Sequence, residues 1–213
     1  MANTSRINGF RPVKHVTGAP YNGQANIYAV LAADSTALFV GDPVKLDGSA
    51  HTNGIASVTK AGTTDQVLGV VVGIVTNKLD PVTGAMSNGA SPTLDTPQYR
   101  AASTFGYVLV CDAPDMIYEV EQCTGSNASY TFLVADVGLN AGHTTVAGST
   151  TTGNSGAAID MAGKATTATL PWKILGAVQR PDNEVITGTS TSVKILVKLN
   201  QAVLGGGTGS TGV

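Results

Sequence analysis

The sequence predicts an all-β protein, and composition and patterning agree on that class. The 213 residues include 27 threonines and 26 glycines. Threonine is β-branched and suits a pleated strand, while glycine reaches the positive φ angles that tight turns require. No segment of the sequence shows a sustained helical period with caps. We therefore predict a small β-barrel or sandwich that forms one domain, with an extended N-terminal arm and long loops rich in glycine and threonine.

Charged residues are few in this sequence. They make up 12% of the chain, about half of the roughly 25% that is usual in soluble domains. A surface of hydroxyls, amides and small apolar groups is normally covered by another molecule, so this composition favours an assembly component over an enzyme. The net charge of -2 provides no basic field for phosphates, and we expect no direct nucleic-acid partner.

Membrane and export signals are missing from the sequence. The longest apolar run, residues 67–75, is interrupted by Gly69 and Gly73 and is far shorter than the roughly 20 residues that cross a bilayer. The amino terminus has no basic segment leading into an apolar one. We therefore expect a soluble protein that is used without secretion and has no membrane partner.

Residues 1–26 predict an extended arm outside the packed domain. They contain Pro12, Pro20 and the turn pair Asn22-Gly23, and their apolar residues show little periodicity. Ordering such a segment costs about 1 to 2 kcal/mol per residue. We therefore expect the arm to add little to the fold and to become ordered against a partner.

Residues 27–76 predict a small curled β-unit within the single domain, residues 27–203. Gly41-Asp42-Pro43 is the predicted structural turn of this unit, because proline fixes φ and removes a backbone donor. Gly69 and Gly73 suit a tightly curved barrel wall. Strands are expected at residues 27–31, 37–40, 44–46, 55–59 and 66–76.

A second β-section is expected over residues 99–199, after a stretch of loop chemistry at residues 77–98. Residues 138–168 are rich in threonine, glycine, serine and alanine, and we expect an exposed loop with short strand pairs there. The tail, residues 204–213, has the composition of a flexible segment. Strands of the second section are expected at residues 99–111, 117–123, 130–134, 172–178 and 192–199.

Cys111 and Cys123 are too few for a disulfide framework. Their spacing leaves open a bridge between neighbouring strands or two buried free thiols, and the general burial of cysteine favours free thiols. His15, His51 and His143 lie in turn-like sequence without a second ligand at metal-binding spacing. We therefore expect surface histidines, no metal site and no cofactor.

The most enzyme-like string is Gly153-Asn154-Ser155-Gly156. Chymotrypsin-like proteases place their nucleophile in a Gly-x-Ser-Gly turn, and His51 with Asp80 or Asp95 would complete the order His, Asp, Ser. The string nevertheless lies in a segment rich in threonine and glycine, where chance produces it. We therefore expect no enzyme activity and no small-molecule substrate, and a serine hydrolase is the remote alternative.

Two further features have structural interpretations. The carboxylates of Asp112, Asp115, Glu119 and Glu121 could hold a hard cation, but this stretch lacks the compact loop that calcium usually requires. A solvated turn followed by a charged strand face is expected instead. Trp172, the single tryptophan, is expected to be a core residue rather than a stacking platform.

Residues 8–13 (NGFRPV), 18–23 (GAPYNG) and 39–44 (FVGDPV) resemble small structural proteins of tailed-bacteriophage heads. The resemblance is to the decoration, or cement, proteins that lie on the outside of an icosahedral capsid. The glycine-rich apolar strand at residues 68–73 is similar to the β-barrel core of several such families. Residues 1–76 carry the resemblance best, and the final strands carry it weakly.

The resemblance implies a non-enzymatic viral structural protein that is made in the host cytoplasm, lies on the capsid exterior of the virion and stabilises the shell. Its partners would be the major capsid protein and copies of itself, as a dimer or trimer. A phage tail, fibre or host-recognition component is the alternative function. The candidate capsid contacts lie on the arm and are Arg6, Phe10, Arg11, Pro12, Lys14 and Tyr21.

Overall fold

The computed structural model describes residues 3–75, 98–205 and 209–212, and this part of the chain is all-β, as predicted. Its helices are two single turns of 3-10 type, Val134–Asp136 and Val203–Gly205. The strands are β1 (Arg11–His15), β2 (Asn26–Val30), β3 (Leu38–Phe39), β4 (Pro43–Ala50), β5 (Ala56–Lys60), β6 (Gly69–Val75), β7 (Tyr99–Arg100), β8 (Gly106–Cys111), β9 (Met116–Cys123), β10 (Asn140–His143), β11 (Ile159–Ala165), β12 (Trp172–Ala177) and β13 (Lys194–Leu199).

Five strands close a barrel in the order β2-β5-β4-β6-β8. Its interior is a cluster of β-branched and aliphatic side chains, of which Val44, Val58, Val71 and Val108 have no solvent exposure. Strands β2, β4, β5 and β6 come from the predicted first β-unit, but β8 comes from the predicted second section. The first unit therefore depends on a later strand to close its barrel.

The second sheet has the strand order β1-β9-β11-β10-β12-β13. Strand β13 also pairs with β9, so the strands from β9 to β13 form a ring. Strand β1 attaches outside the ring, along an edge of β9. The larger apolar cluster packs against this sheet and includes Tyr118, Ile159, Met161 and Trp172.

The N-terminal segment is part of the fold, and the prediction of a separate arm is wrong. Strand β1 pairs with β9 from Arg11 to His15. Phe10 is 1% exposed, and its ring stacks on Trp172 with 4.3 Å between the centroids. The prediction failed because one buried aromatic side chain removes about 150 to 250 Å² of surface from water and can anchor a segment that shows no apolar period.

Residues 138–168 are not the exposed loop that their composition predicts, although they contain the expected strand pair, β10 with β11. All four residues of β10 are buried. Small residues are required here because chains approach closely. A Cβ on Gly148 would lie 2.4 Å from Phe39 Cγ, and one on Gly156 would lie 2.4 Å from Ala147 O. The loop-like composition therefore reflects tight packing.

Two other predicted elements differ from the structure. Residues 130–134 form no strand; Thr131 makes a single bridge with Thr191 before the 3-10 turn begins. The described part of the tail, residues 209–212, is held by hydrogen bonds rather than free, since Asn140 Nδ2 donates to Ser210 O at 2.8 Å and Gly212 N donates to Thr166 O at 2.9 Å. The predicted loop at residues 77–98 lies, apart from Gln98, outside the described residues.

Candidate functional site

The turn at residues 41–43 lies at the centre of a buried polar cluster. Asp42 N donates to Phe39 O at 3.1 Å, and Phe39 N donates to Asp42 Oδ2 at 2.9 Å. Ser155 Oγ donates to Asp42 Oδ1 at 2.6 Å, and Lys60 Nζ lies 3.0 Å from the same oxygen. Asp42 has no exposure, and the Lys60 side chain is 8% exposed. The carboxylate therefore joins the barrel turn to a distant part of the chain.

The N-terminal segment crosses directly over this turn. Phe10 N donates to Gly41 O at 3.0 Å. Gly9 and Gly41 have φ angles of 74° and 96°, and a Cβ on Gly9 would lie 2.7 Å from both Gly41 O and Ser155 Cβ. Only glycine fits this crossing, which directs Phe10 into the core.

Ser155 has a structural environment rather than a catalytic one. Its Oγ donates to Asp42 and accepts from Ala157 N at 2.9 Å, and in the described ranges no histidine bonds to it. The residue is 2% exposed. A nucleophilic serine needs a base that removes its proton and an open path for substrate. His51 instead packs against Phe105, with 4.6 Å between ring centroids, and Asp80 and Asp95 lie outside the described residues.

His143 is a core residue, and the prediction of a surface position is wrong. Trp172 Nε1 donates to His143 Nδ1 at 3.3 Å, so Nε2 carries the proton and faces Ala61 O at 3.3 Å. Burial lowers the pKa of His143 to about 4. Trp172 is a core residue, as predicted, but it does not stand alone, because Phe10 stacks on it and Tyr118 meets it edge-on.

The carboxylates after β8 are only partly the solvated groups that the sequence predicts. Asp112 is 7% exposed and accepts hydrogen bonds from Asn26 Nδ2 and Tyr28 OH. Glu121 is 4% exposed and accepts from Arg6 N at 2.7 Å. These acceptors are satisfied within the protein, and the described residues include no group of three potential metal ligands.

Cys111 and Cys123 are buried free thiols, as predicted. Burial, followed by the nearby carboxylates of Asp160 and Glu121, raises the pKa of Cys123 to about 12. A thiol with such a pKa carries almost no thiolate at neutral pH, so Cys123 is unreactive.

The residues predicted as capsid contacts on the N-terminal segment lie in different environments. Phe10 is buried and unavailable to a partner. Pro12 and Tyr21 are half-buried and line a cleft of about 420 Å³ between this segment and the barrel, where Val72 and Leu109 form the opposite wall. The exposed members of the set are Arg6, Arg11 and Lys14.

An exposed apolar platform was not found by sequence reasoning. Gly138 N donates to Ile174 O at 3.0 Å, which brings the segment that contains Val137 alongside β12 near Leu175. Val134 N donates to Thr187 Oγ1 at 3.2 Å, which places Val134 beside Ile186. The platform consists of Leu133, Val134, Val137, Leu175 and Ile186, which are 37% to 62% exposed and are five of the eleven large apolar side chains exposed in the described ranges.

A buried carboxylate holds the platform in place. Asp136 is 2% exposed and accepts hydrogen bonds from Tyr130 OH at 2.9 Å and Leu133 N at 3.2 Å. Lys164 Nζ lies 3.4 Å from Asp136 Oδ1 and 4.7 Å from the centre of the Tyr130 ring. Because the platform is ordered before any partner arrives, binding through it loses little conformational entropy.

Comparison of the chain with protein-family profiles, curated proteins and solved structures finds no match. Within the described ranges, no helix has the length and apolar character needed to cross a bilayer. The candidate site is therefore defined by its own geometry, and it is the ordered apolar platform. The buried groups around Ser155, His143 and Asp112 are hydrogen-bonded within the fold.

Proposed function

We propose that the protein is a non-enzymatic structural component of a tailed-bacteriophage particle, which binds the outside of the capsid shell and stabilises it. The apolar platform carries this proposal. Monomeric soluble proteins rarely expose large contiguous apolar patches, and those that do usually bind another protein or a membrane there. The resemblance of residues 8–13, 18–23 and 39–44 to capsid decoration proteins supplies the viral setting.

The buried contacts that join the barrel to the rest of the fold support a role in bracing the shell. The Phe10 ring stacks on Trp172 of the second sheet, while its backbone N–H donates a hydrogen bond to Gly41 of the barrel turn. Ser155 donates a hydrogen bond to Asp42 of the same turn. Because these contacts join the barrel to the rest of the fold, a force on either part is transmitted to the other without separating them. Many copies on a shell would also multiply individually weak contacts, so each platform needs only modest affinity.

Reconstitution on particles tests the proposal. Protein is added to particles that lack it, and the retained copies, the particle image and the survival of the shell on heating are measured. We expect density on the capsid exterior and a higher temperature of shell failure. The variant Val134→Asp should lose most of the retained copies, because a carboxylate in the platform must be desolvated on docking.

The matched control is Leu46→Asp, which places the same charge on an exposed leucine of the barrel and should bind like the parent. Thermal unfolding of all three proteins verifies that they are folded. Density on the tail or fibres would overturn the capsid assignment in favour of the tail alternative. Absence of the parent protein from the particle would overturn the viral proposal as a whole.

A further inference from the structure

Strands β1, β9, β13 and β12 lie side by side, and one face of them is turned to the core. Tyr118 and Val120 of β9 are buried, as are Ile195 and Val197 of β13. Since side chains alternate across a strand, the residues between these point outward. The outward face of these four strands is therefore a single surface whose composition can be read from the pairing.

This outward face is basic, although the chain has a net charge of -2. The barrel strands differ, since their only lysines are Lys45 and the buried Lys60. The four strands together carry five of the twelve lysines and arginines of the chain but only two carboxylates. We call the surface the basic ladder; its cations are Arg11, Lys14, Lys173, Lys194 and Lys198, and its carboxylates are Glu119 and Glu121.

Three lysines of the basic ladder form a row across the strands. Lys14 and Lys198 are both paired in register with Ile117, and Lys198 is paired with Lys173. Neighbouring strands are about 4.8 Å apart, and like charges directly opposite each other destabilise a sheet. Lys173 Nζ is bonded to the neutral groups Ser210 Oγ and Thr211 O. Within the described residues, the row thus lowers the stability of the fold without an acidic side chain to neutralise it.

The carboxylates of the basic ladder are already engaged. Glu119 accepts two hydrogen bonds from Arg180, at 2.8 and 2.9 Å, and Glu121 accepts one from Arg6 N. Across the described part of the chain, no acidic side chain pairs with Arg11, Lys14 or Lys198. As far as the described residues go, these three cations are therefore available to a partner.

We propose that the basic ladder docks an acidic protein surface, whose carboxylates pair with Lys14, Lys173 and Lys198. Leu175 of the platform follows Lys173 on β12, so the apolar and the basic surfaces are continuous and form one docking face. The charges orient the partner and raise the association rate, and the platform supplies the apolar area that is buried in the complex. The assignment of that acidic surface to the outside of the capsid shell rests on the proposed function.

The composition of the docking face favours a protein over a nucleic acid. Glu119, engaged by Arg180, and the buried Glu121 interrupt the lysines, so the face lacks the continuous run of cations that tracks a phosphate backbone. The ladder strands place no exposed aromatic ring on this face for bases to stack on, since Tyr118 and Trp172 are both fully buried. An apolar centre, here the platform, with a polar and charged margin, here the basic ladder, is the arrangement of a protein interface.

Titration with model polyanions tests the chemistry independently of any particle. Poly-L-glutamate is titrated into the full-length protein by calorimetry at several salt concentrations, beside a 20-base-pair DNA duplex and phosphatidylserine vesicles. We expect poly-L-glutamate to bind most tightly and to weaken as salt rises. The triple variant Lys14→Gln, Lys173→Gln, Lys198→Gln should weaken that binding by about tenfold and flatten its salt dependence. The control Lys45→Gln, on the barrel, should bind within about twofold of the parent.

Thermal unfolding separates lost binding from lost folding. The triple variant should melt no lower than the parent, because it removes the opposed lysines. The proposal would be overturned if parent and triple variant bound poly-L-glutamate equally, or if the parent did not bind it at low salt. Tighter binding of DNA or of vesicles than of poly-L-glutamate would overturn the choice of an acidic protein as the partner. If poly-L-glutamate binding depends on the ladder but the protein does not attach to particles, the ladder stands and the capsid function fails.

Discussion

Ser155 Oγ donates a 2.6 Å hydrogen bond to Asp42 Oδ1 across 113 positions of sequence, and this contact fastens the connection between β10 and β11 to the turn that precedes β4 of the barrel. Lys60 Nζ completes the cluster at 3.0 Å from the same oxygen and also donates to Val146 O at 3.3 Å. Removing one partner of such a buried ion pair strongly destabilises a protein, because the remaining charge is left uncompensated.

Replacing Ser155 with alanine should lower the free energy of unfolding by about 1 to 3 kcal/mol, because the buried carboxylate of Asp42 loses a donor. Urea unfolding measures the change. The control is Ser126→Ala, at an exposed turn residue, which should change stability by less than about 0.5 kcal/mol. Peptide and ester hydrolysis should be undetectable in the parent and in both variants. Hydrolysis by the parent that Ser155→Ala abolishes, at unchanged folding, would revive the serine hydrolase alternative.

The interior of the barrel gives a second prediction. Val44→Asp or Val71→Asp should unfold the protein, since both positions have no solvent exposure and an unpaired buried carboxylate costs several kcal/mol against a total stability of about 5 to 15 kcal/mol. Circular dichroism and thermal melting report the result. Leu46→Asp, on the same strand but 39% exposed, should stay folded. Parent-like melting of Val44→Asp would contradict the barrel register.

Local sequence patterns were sufficient for the barrel strands but not for its closure. Alternation around Val44 and Leu46 and the apolar run before Val75 predict β4 and β6, because their signals lie within one strand. Strand β8 joins them only through pairing with β2 and β6, and such long-range pairing leaves no local trace. Arrangement of strands in a sheet is set by contacts between distant residues, so the predicted division into two β-units could not anticipate it.

Which residues are buried and which share a surface was predicted less well than the strands, for the same reason. Phe10 has no periodic neighbours, so its burial depends on Trp172, which lies far away in sequence. The apolar platform combines residues from three separate segments, and the basic ladder combines residues from four strands. Lys173 and Lys198 each look like an ordinary exposed lysine until the register between β12 and β13 is known. The net charge of the chain gives no indication of this basic face, because it sums charges over the whole sequence.

Acid should destabilise the protein through His143. Burial lowers the pKa of His143 to about 4, whereas the side chain titrates near 6.5 in an unfolded chain. Between these pH values the unfolded state binds more protons than the folded state. The free energy of unfolding therefore falls as pH drops from 6.5 to 4, by about 3 kcal/mol in total for this group.

Urea unfolding between pH 7 and pH 4 measures this loss. His143→Gln should remove most of the slope in that window, since glutamine offers an acceptor to Trp172 Nε1 and does not titrate. His51→Gln, at a partly exposed position, should keep the slope of the parent. Asp65 also loses its contribution to stability as pH falls through its folded pKa, which is lowered by Lys45, by the Gly62 N–H and, as the smallest cause, by His143. Because His143 is the smallest of these causes, the Asp65 contribution is nearly the same in the three proteins. An unchanged slope in His143→Gln would contradict the assignment.

The N-terminal segment should be necessary for folding, which reverses the expectation of a dispensable arm. Phe10→Ala should lower the free energy of unfolding by about 3 to 5 kcal/mol, because it removes the ring that stacks on Trp172 and leaves a cavity. Deletion of residues 2–21 also removes strand β1 from β9, so the truncated chain should be unfolded or aggregated. The control, Val16→Ala, changes an apolar residue of the same segment that is 54% exposed and should alter stability by less than about 0.5 kcal/mol. Solubility, circular dichroism and urea unfolding of the three variants measure these effects. A truncated protein that unfolds cooperatively, with the same urea midpoint as the parent, would show that β1 and Phe10 are additions to a complete fold rather than part of it.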